Sequence, residues 1–233
     1  MNISTGCEVT ALEPFLMRQN SVESIENPAW SPDGEWLYYS YSHVTQTATQ
    51  ATFNRTLERI NIKSGAIEAI SADAIWPTVS ANNGAIAFVK FASVLHQSAP
   101  NGTKLQTLLQ AAPFVAIDAP TFTPDGRFIF FSAATSTTTP AWSLDLWFKP
   151  QVAEAHNYPS DWWRLDLETG TLQPISNLLL TQLNGDVSPD GQWLAFNSSV
   201  GVFNMQANGT ALEQILRPNT VDTVLPLSLE WIP

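Results

Sequence analysis

Apolar residues cluster in four short runs: 35–39 (Glu-Trp-Leu-Tyr-Tyr), 84–88 (Gly-Ala-Ile-Ala-Phe), 127–131 (Arg-Phe-Ile-Phe-Phe) and 192–196 (Gln-Trp-Leu-Ala-Phe). They are aromatic and β-branched and show no polar alternation, so they predict strands buried on both faces. Each run follows a turn: Ser31-Pro32-Asp33-Gly34, Thr123-Pro124-Asp125-Gly126, Ser188-Pro189-Asp190-Gly191, and a degraded copy, Ser80-Ala81-Asn82-Asn83. Pro presets φ at the second place of a type I turn, and Gly supplies positive φ at the fourth. In the degraded copy Asn83 is expected to take the left-handed conformation. Ahead of each turn stands a further short segment whose last residue, adjoining the turn, is always apolar: Trp30, Val79, Phe122 and Val187. Strand, tight turn and strand make a hairpin.

A second hairpin follows each first one, with its turn at Lys63-Ser64-Gly65, Asn101-Gly102, Glu168-Thr169-Gly170 and Asn208-Gly209. Gly-containing pairs between strands are strong hairpin signals. The unit is therefore four strands, A to D. Its first turn begins at residues 31, 80, 123 and 188, and Glu230-Trp231-Ile232-Pro233 echoes Ala29-Trp30-Ser31-Pro32. A repeat of about 43 residues with four strands predicts an all-β fold, a β-propeller of four-stranded antiparallel blades. Two units are longer because of insertions between strands B and C, at 42–56 and roughly 133–161, and both insertions belong to the same rim. Met1-Asn2-Ile3-Ser4-Thr5-Gly6 parallels residues 60–65, so residues 1–22 read as the end of a preceding blade and 222–233 as the inner strand of a further one. The expected organisation is four complete blades (26–72, 74–112, 117–178, 182–217) with partial blades at both termini. Open ends of this kind are expected to self-associate through apolar faces and unpaired strand edges.

The stretch Pro-x-Trp-Ser-Pro-Asp-Gly at 28–34, followed by an aromatic strand, resembles the TolB-like, WD-repeat-like propeller repeat, and the likeness spans nearly the whole chain. Blades of this type occur in the periplasmic TolB component of an envelope system and in the propeller half of prolyl-oligopeptidase-type and dipeptidyl-peptidase-type serine peptidases. The resemblance implies a non-enzymatic scaffold for a protein or glycan partner, in the bacterial envelope or outside the cell. The alternative it implies is the substrate-gating part of such a peptidase.

Charge narrows the partners. The net charge of −11 disfavours nucleic acid and anionic lipid, which reward Lys and Arg. No run of about 18 apolar residues predicts a membrane span. A single cysteine, Cys7, excludes a disulfide framework. No Gly-x-Ser-x-Gly elbow, glycine-rich phosphate loop or metal-spaced histidine pair occurs, so neither a catalytic centre nor a cofactor is expected. His43, His96 and His156 are far apart.

Two groups remain as candidate binding residues. The blade-three insertion and its exit carry Trp142, Trp147, Phe148, His156 and Tyr158, either an exposed recognition patch or a loop that buries its own aromatics. Glu26 and Asp118 share one place, two residues before the Pro of strand A, near the expected central channel. They read either as paired carboxylates across it or as acidic turn caps.

Overall fold

In the computed structural model residues 21–46, 51–136, 158–217 and 231 are described. They form four four-stranded antiparallel sheets, with no helix among the described residues. Blade one comprises β1 (Ser21–Trp30), β2 (Trp36–Gln46), β3 (Ala51–Asn61) and β4 (Ile67–Ala72). Blade two comprises β5 (Ala74–Val79), β6 (Ile86–Lys90), β7 (Val94–Ser98) and β8 (Gln106–Leu109). Blade three comprises β9 (Phe114–Phe122), β10 (Phe128–Thr135), β11 (Asp161–Asp166) and β12 (Leu172–Pro174). Blade four comprises β13 (Asn184–Val187), β14 (Trp193–Ser198), β15 (Gly201–Gln206) and β16 (Glu213–Leu216). The strands of every blade lie in sequence order. The proposed end blades at 1–22 and 222–233 fall almost wholly outside the described residues.

The core lies between blades. Tyr38 and Leu57 of blade one pack on Ala74, Ile86 and Phe88 of blade two. Val89 and Leu95 of blade two meet Ile117, Ile129 and Phe131 of blade three. Phe130 and Trp162 of blade three meet Leu194, Phe196 and Met205 of blade four. A strand alternates faces, so each central strand serves two such layers at once, which is why these runs carry no polar alternation. Trp36, Leu37, Phe128 and Trp193, expected to be buried, are only half-buried. They stand beside the A–B turn at the end of the sheet, where arginines cover the rings instead: Arg59 lies 3.9 Å over Trp36, and Arg127 and Arg164 each lie 4.9 Å from Phe128.

The Ser/Thr-Pro-Asp-Gly turns close as their residue types require. Ser31 Oγ donates to Asp33 Oδ1 (2.5 Å) and accepts the Trp36 N–H (2.9 Å), and Gly34 N–H reaches Ser31 O with φ at +68°. Thr123 and Ser188 repeat the arrangement. Blade two departs from the expectation for Asn83. There the left-handed residue is Gly84 (φ +70°), whose N–H reaches Ser80 O one residue later than in the other turns. Asn82, standing where the others have Asp, donates to Asp125 O of blade three (3.0 Å), and the buried Ser80 Oγ is left without a partner.

Strand A is bulged in blades one to three, at Asn27-Pro28, Trp76-Pro77 and Ala119-Pro120, where the residue before Pro has positive φ. Proline removes a ladder donor, so the register slips there. In blade four the same place is Gly185 and the pairing of β13 with β14 is regular.

Candidate functional site

The blade-one insertion is mostly strand. β2 and β3 pair continuously from Trp36↔Asn61 to Gln46↔Ala51, so the 42–56 stretch is a hairpin that runs on past the ring. In blade two the equivalent strands end at Lys90, paired with Ala74, and close by the four-residue turn Lys90-Phe91-Ala92-Ser93. Blade three rises again, β9 and β10 pairing as far as Phe114↔Thr135. The rim that carries the B–C connections is therefore a saddle, with blade two low between two raised neighbours. Four or five residues of extra strand, at about 3.3 Å each, raise the blade-one wall by roughly 15 Å.

The wall presents an apolar row to that saddle. Val22, Val44 and Phe53 are cross-strand partners, and they share a face with Ser40 and Leu57, which pack on blade two. Val22 and Phe53 are exposed, and Arg55 lies one step below on the same face. At the base of the saddle Phe91 is 68% exposed. Phe91 (φ 51°) and Ala92 (φ 62°) are both left-handed, a turn geometry that Asn-Gly would adopt without strain. Most other positive-φ residues recur from blade to blade, as Asn27, Trp76 and Ala119 do. Among the described residues the Phe91-Ala92 pair has no counterpart. Its Ala92 carbonyl accepts the Ile117 N–H of blade three (2.7 Å), which ties the turn to the next wall. The Lys90 ammonium stands 5.5 Å from the Phe91 ring.

Below the turn, His96 stacks on Phe88 (5.8 Å) and contacts the Thr107 hydroxyl. Burial, and secondarily the Lys90 charge, hold its imidazole below the ordinary histidine range. No group of three or more potential metal ligands occurs among the described residues.

Of the residues singled out from the sequence, Trp142, Trp147, Phe148 and His156 lie outside the described residues. Tyr158 is half-buried against Ala116 and Ala134 at the top of blade three, and its carbonyl accepts from Ser160 Oγ. Glu26 is exposed on β1, opposite Ser40, whereas Asp118 is 3% exposed on β9, opposite Ser132. They occupy the same repeat position, but blade two stands between them and fills it with Ile75. Phe53 and Phe91 escaped the sequence reading. The strand alternation of residues 41–46 and 52–55 was a usable signal for the first, and the second sits in a turn with no Gly, Asn or Pro to mark it.

No family model matches the chain. Dipeptidyl-peptidase 5 of Porphyromonas gingivalis is 24% identical over 155 residues, covering 62% of this chain and 23% of that protein. Among solved structures, TolB from Acinetobacter baumannii superposes with a TM-score of 0.57 at 17% identity, covering 86% of this chain and 45% of TolB. An oligogalacturonate lyase in complex with manganese gives 0.60 at 12% identity, covering 89% of this chain and 57% of the lyase. The acylaminoacyl peptidase of Pyrococcus horikoshii gives 0.56 at 13%, covering 84% and 32%. This chain thus spans between 23% and 57% of the length of these proteins, and the likeness at such identities is one of fold: a β-propeller shared by TolB proteins and by the propeller parts of peptidases. No helix among the described residues is long and apolar enough to cross a membrane.

Proposed function

We propose that the chain is a non-enzymatic propeller scaffold that binds a protein partner through the rim carrying the B–C connections, in a bacterial envelope or outside the cell. The observation that carries this reading is Phe91, a large exposed aromatic held on a left-handed turn that its own residue types disfavour. Strain of this kind persists where surrounding structure enforces it and is concentrated at functional positions. The exposed Val22 and Phe53 of the adjoining wall extend the apolar surface. The aromatic stretch with Trp142, Trp147, Phe148 and His156 connects β10 to β11 at the same rim and forms the remainder of the proposed surface, with Tyr158 at its base.

The test is affinity capture from an envelope extract with the native chain, with Phe91→Asn, and with Trp142 and Trp147 both changed to Ala. A partner retained by the native chain and lost by the variants supports the rim. Retention by all three moves the site elsewhere, to the channel mouth near Glu26 and Asp118. The second reading, the substrate-gating part of a serine peptidase, is favoured by the similarity to dipeptidyl-peptidase 5. Release of a chromophore from dipeptide anilides by the native gene product, blocked by a fluorophosphonate, decides for it.

A further inference from the structure

Each blade turns one face of its two middle strands toward the blade that follows, and that face carries two recurrent polar positions. The first, nine residues beyond the start of the A–B turn, is Ser40 in blade one and Ser132 in blade three. Ser40 Oγ accepts the Trp76 N–H of blade two (3.1 Å), and Ser132 Oγ donates to Leu183 O, just ahead of β13 in blade four (3.4 Å). The second position, on strand C, is Arg59 in blade one and Arg164 in blade three. Arg59 Nη1 donates to Pro100 O (2.9 Å) and Arg164 Nη1 to Ala207 O (3.4 Å), each carbonyl lying in the C–D turn of the following blade. In blade two Val89 and Gln97 take these positions.

Blade four has Asn197 and Asn204 there, paired with Val202 and Ala195 on the face turned away from blade three. Asn197 is 3% exposed and its Oδ1 has no partner, and Asn204 Oδ1 is likewise buried without one. Val202 opposite Asn197 is also buried, as Leu57 and Trp162 are at the same position of blades one and three. Buried acceptors are matched in folded proteins with few exceptions, so this face is built to be covered by donors. Trp231 reaches the same blade: its indole N–H donates to Asp186 O (3.0 Å), and Asp186 pairs with Ala195 in the sheet. In the repeat Trp231 corresponds to Trp30, the last residue of β1, so residues 222–230 correspond to the strand A that leads to it.

We propose that this face of blade four is the seat of a further blade whose inner strand is residues 222–230 of this chain, with Asn197 accepting a backbone N–H of that strand and Trp231 fixing its end. The inference is independent of what the rim binds. Hydrogen–deuterium exchange on the full chain tests it. The amides of 222–230 should exchange at least about tenfold more slowly than unstructured peptide. Asn197→Val should remove that protection and lower the melting temperature, while the amides of 193–206 stay protected. Asn197→Ser, which restores the residue used in blades one and three, should keep most of it. Trp231→Phe should release the 228–230 amides even if Asn197→Val does not fold. Unprotected 222–230 in the native chain overturns the proposal. So does a melting temperature that Asn197→Val leaves unchanged or raises, the expected result for an orphan acceptor replaced by an apolar isostere. Protection that appears only at concentrations where the chain dimerises assigns the face to a second copy and also overturns it.

Discussion

Replacing the two residues of the Phe91-Ala92 turn separately tests whether blade two carries its strain for a reason. A left-handed conformation costs an L-residue roughly 1–2 kcal/mol, and Asn and Gly largely escape that cost. For Ala92→Gly the relief is offset by about 0.5–1 kcal/mol of extra chain entropy in the unfolded state, leaving a gain of about 1 kcal/mol. In a domain of this size that raises the melting temperature by about 2–4 °C. Phe91→Asn gains a similar relief but gives up contact. The ring is 68% exposed, so about a third of its surface is covered, some 60 Å² or about 1.5 kcal/mol. The exposed Lys90 contact at 5.5 Å adds about 0.5 kcal/mol at most. The two sides nearly cancel, so Phe91→Asn should melt within about 2 °C of the native chain. Calorimetry on the native chain, both single variants and the double variant reads these values directly. Capture assays on the same samples should show binding kept by Ala92→Gly and lost by Phe91→Asn. A native-like melt with undiminished capture for Phe91→Asn would falsify the functional account of the turn. A melting temperature that falls by more than about 5 °C would show that the ring is structural.

The remaining expectations concern the frame that holds the rim. Arg59 donates to Glu68 through Nε and Nη2, to Pro100 O through Nη1, and covers Trp36. Because Glu68 is half-exposed the ion pair itself contributes little, but loss of the part-buried bond to Pro100 and of the stacking should make Arg59→Met about 2–3 kcal/mol less stable, a fall of about 5–10 °C by calorimetry. Gly185→Ala should be more damaging, by at least about 3 kcal/mol in urea unfolding, since its Cβ would meet Phe196 Cβ at 2.6 Å and the Ala195 carbonyl closer still. Asp33, Asp125 and Asp190 have their carboxyls held below the usual range, first by the turn hydroxyls of Ser31, Thr123 and Ser188 and then by backbone N–H groups. A carboxylate with a depressed folded-state pKa gives stability that is present above its unfolded value near 4 and is lost as pH falls through the folded value. Melts from pH 2 to 7 should therefore show a steeper acid limb for the native chain than for a variant with all three changed to Asn; equal limbs would refute this.

What could be read from residue order alone follows a physical divide between local and non-local information. The A–B turns were legible because Ser, Pro, Asp and Gly each satisfy a requirement met within four or five residues, and three of the four turns close as those residues dictate. In the fourth the left-handed place falls on Gly84 and not on the expected Asn83: the turn is one residue longer and uses the glycine that follows, while Asn82 bonds to blade three. The 42–56 stretch read as an insertion because its strands carry Ser, His, Thr and Asn, polar residues that suit a hairpin standing clear of the ring as well as a loop. The neighbouring Asn27, Trp76 and Ala119 bulges were foreshadowed by the Pro after each. Nothing local distinguishes Asn197 from a surface asparagine, or the Phe91 turn from an ordinary short connection. Asn197 acquires its meaning only when the register shows it standing where Ser40 and Ser132 reach across to the next blade, and Phe91 only when strands on either side are seen to rise above it. Within this repeat the sequence-local motif specifies the blade, while the residues that differ from blade to blade at equivalent positions are where joining and binding are specified. A search for function in related chains should therefore compare blades with one another, position by position, before it compares proteins.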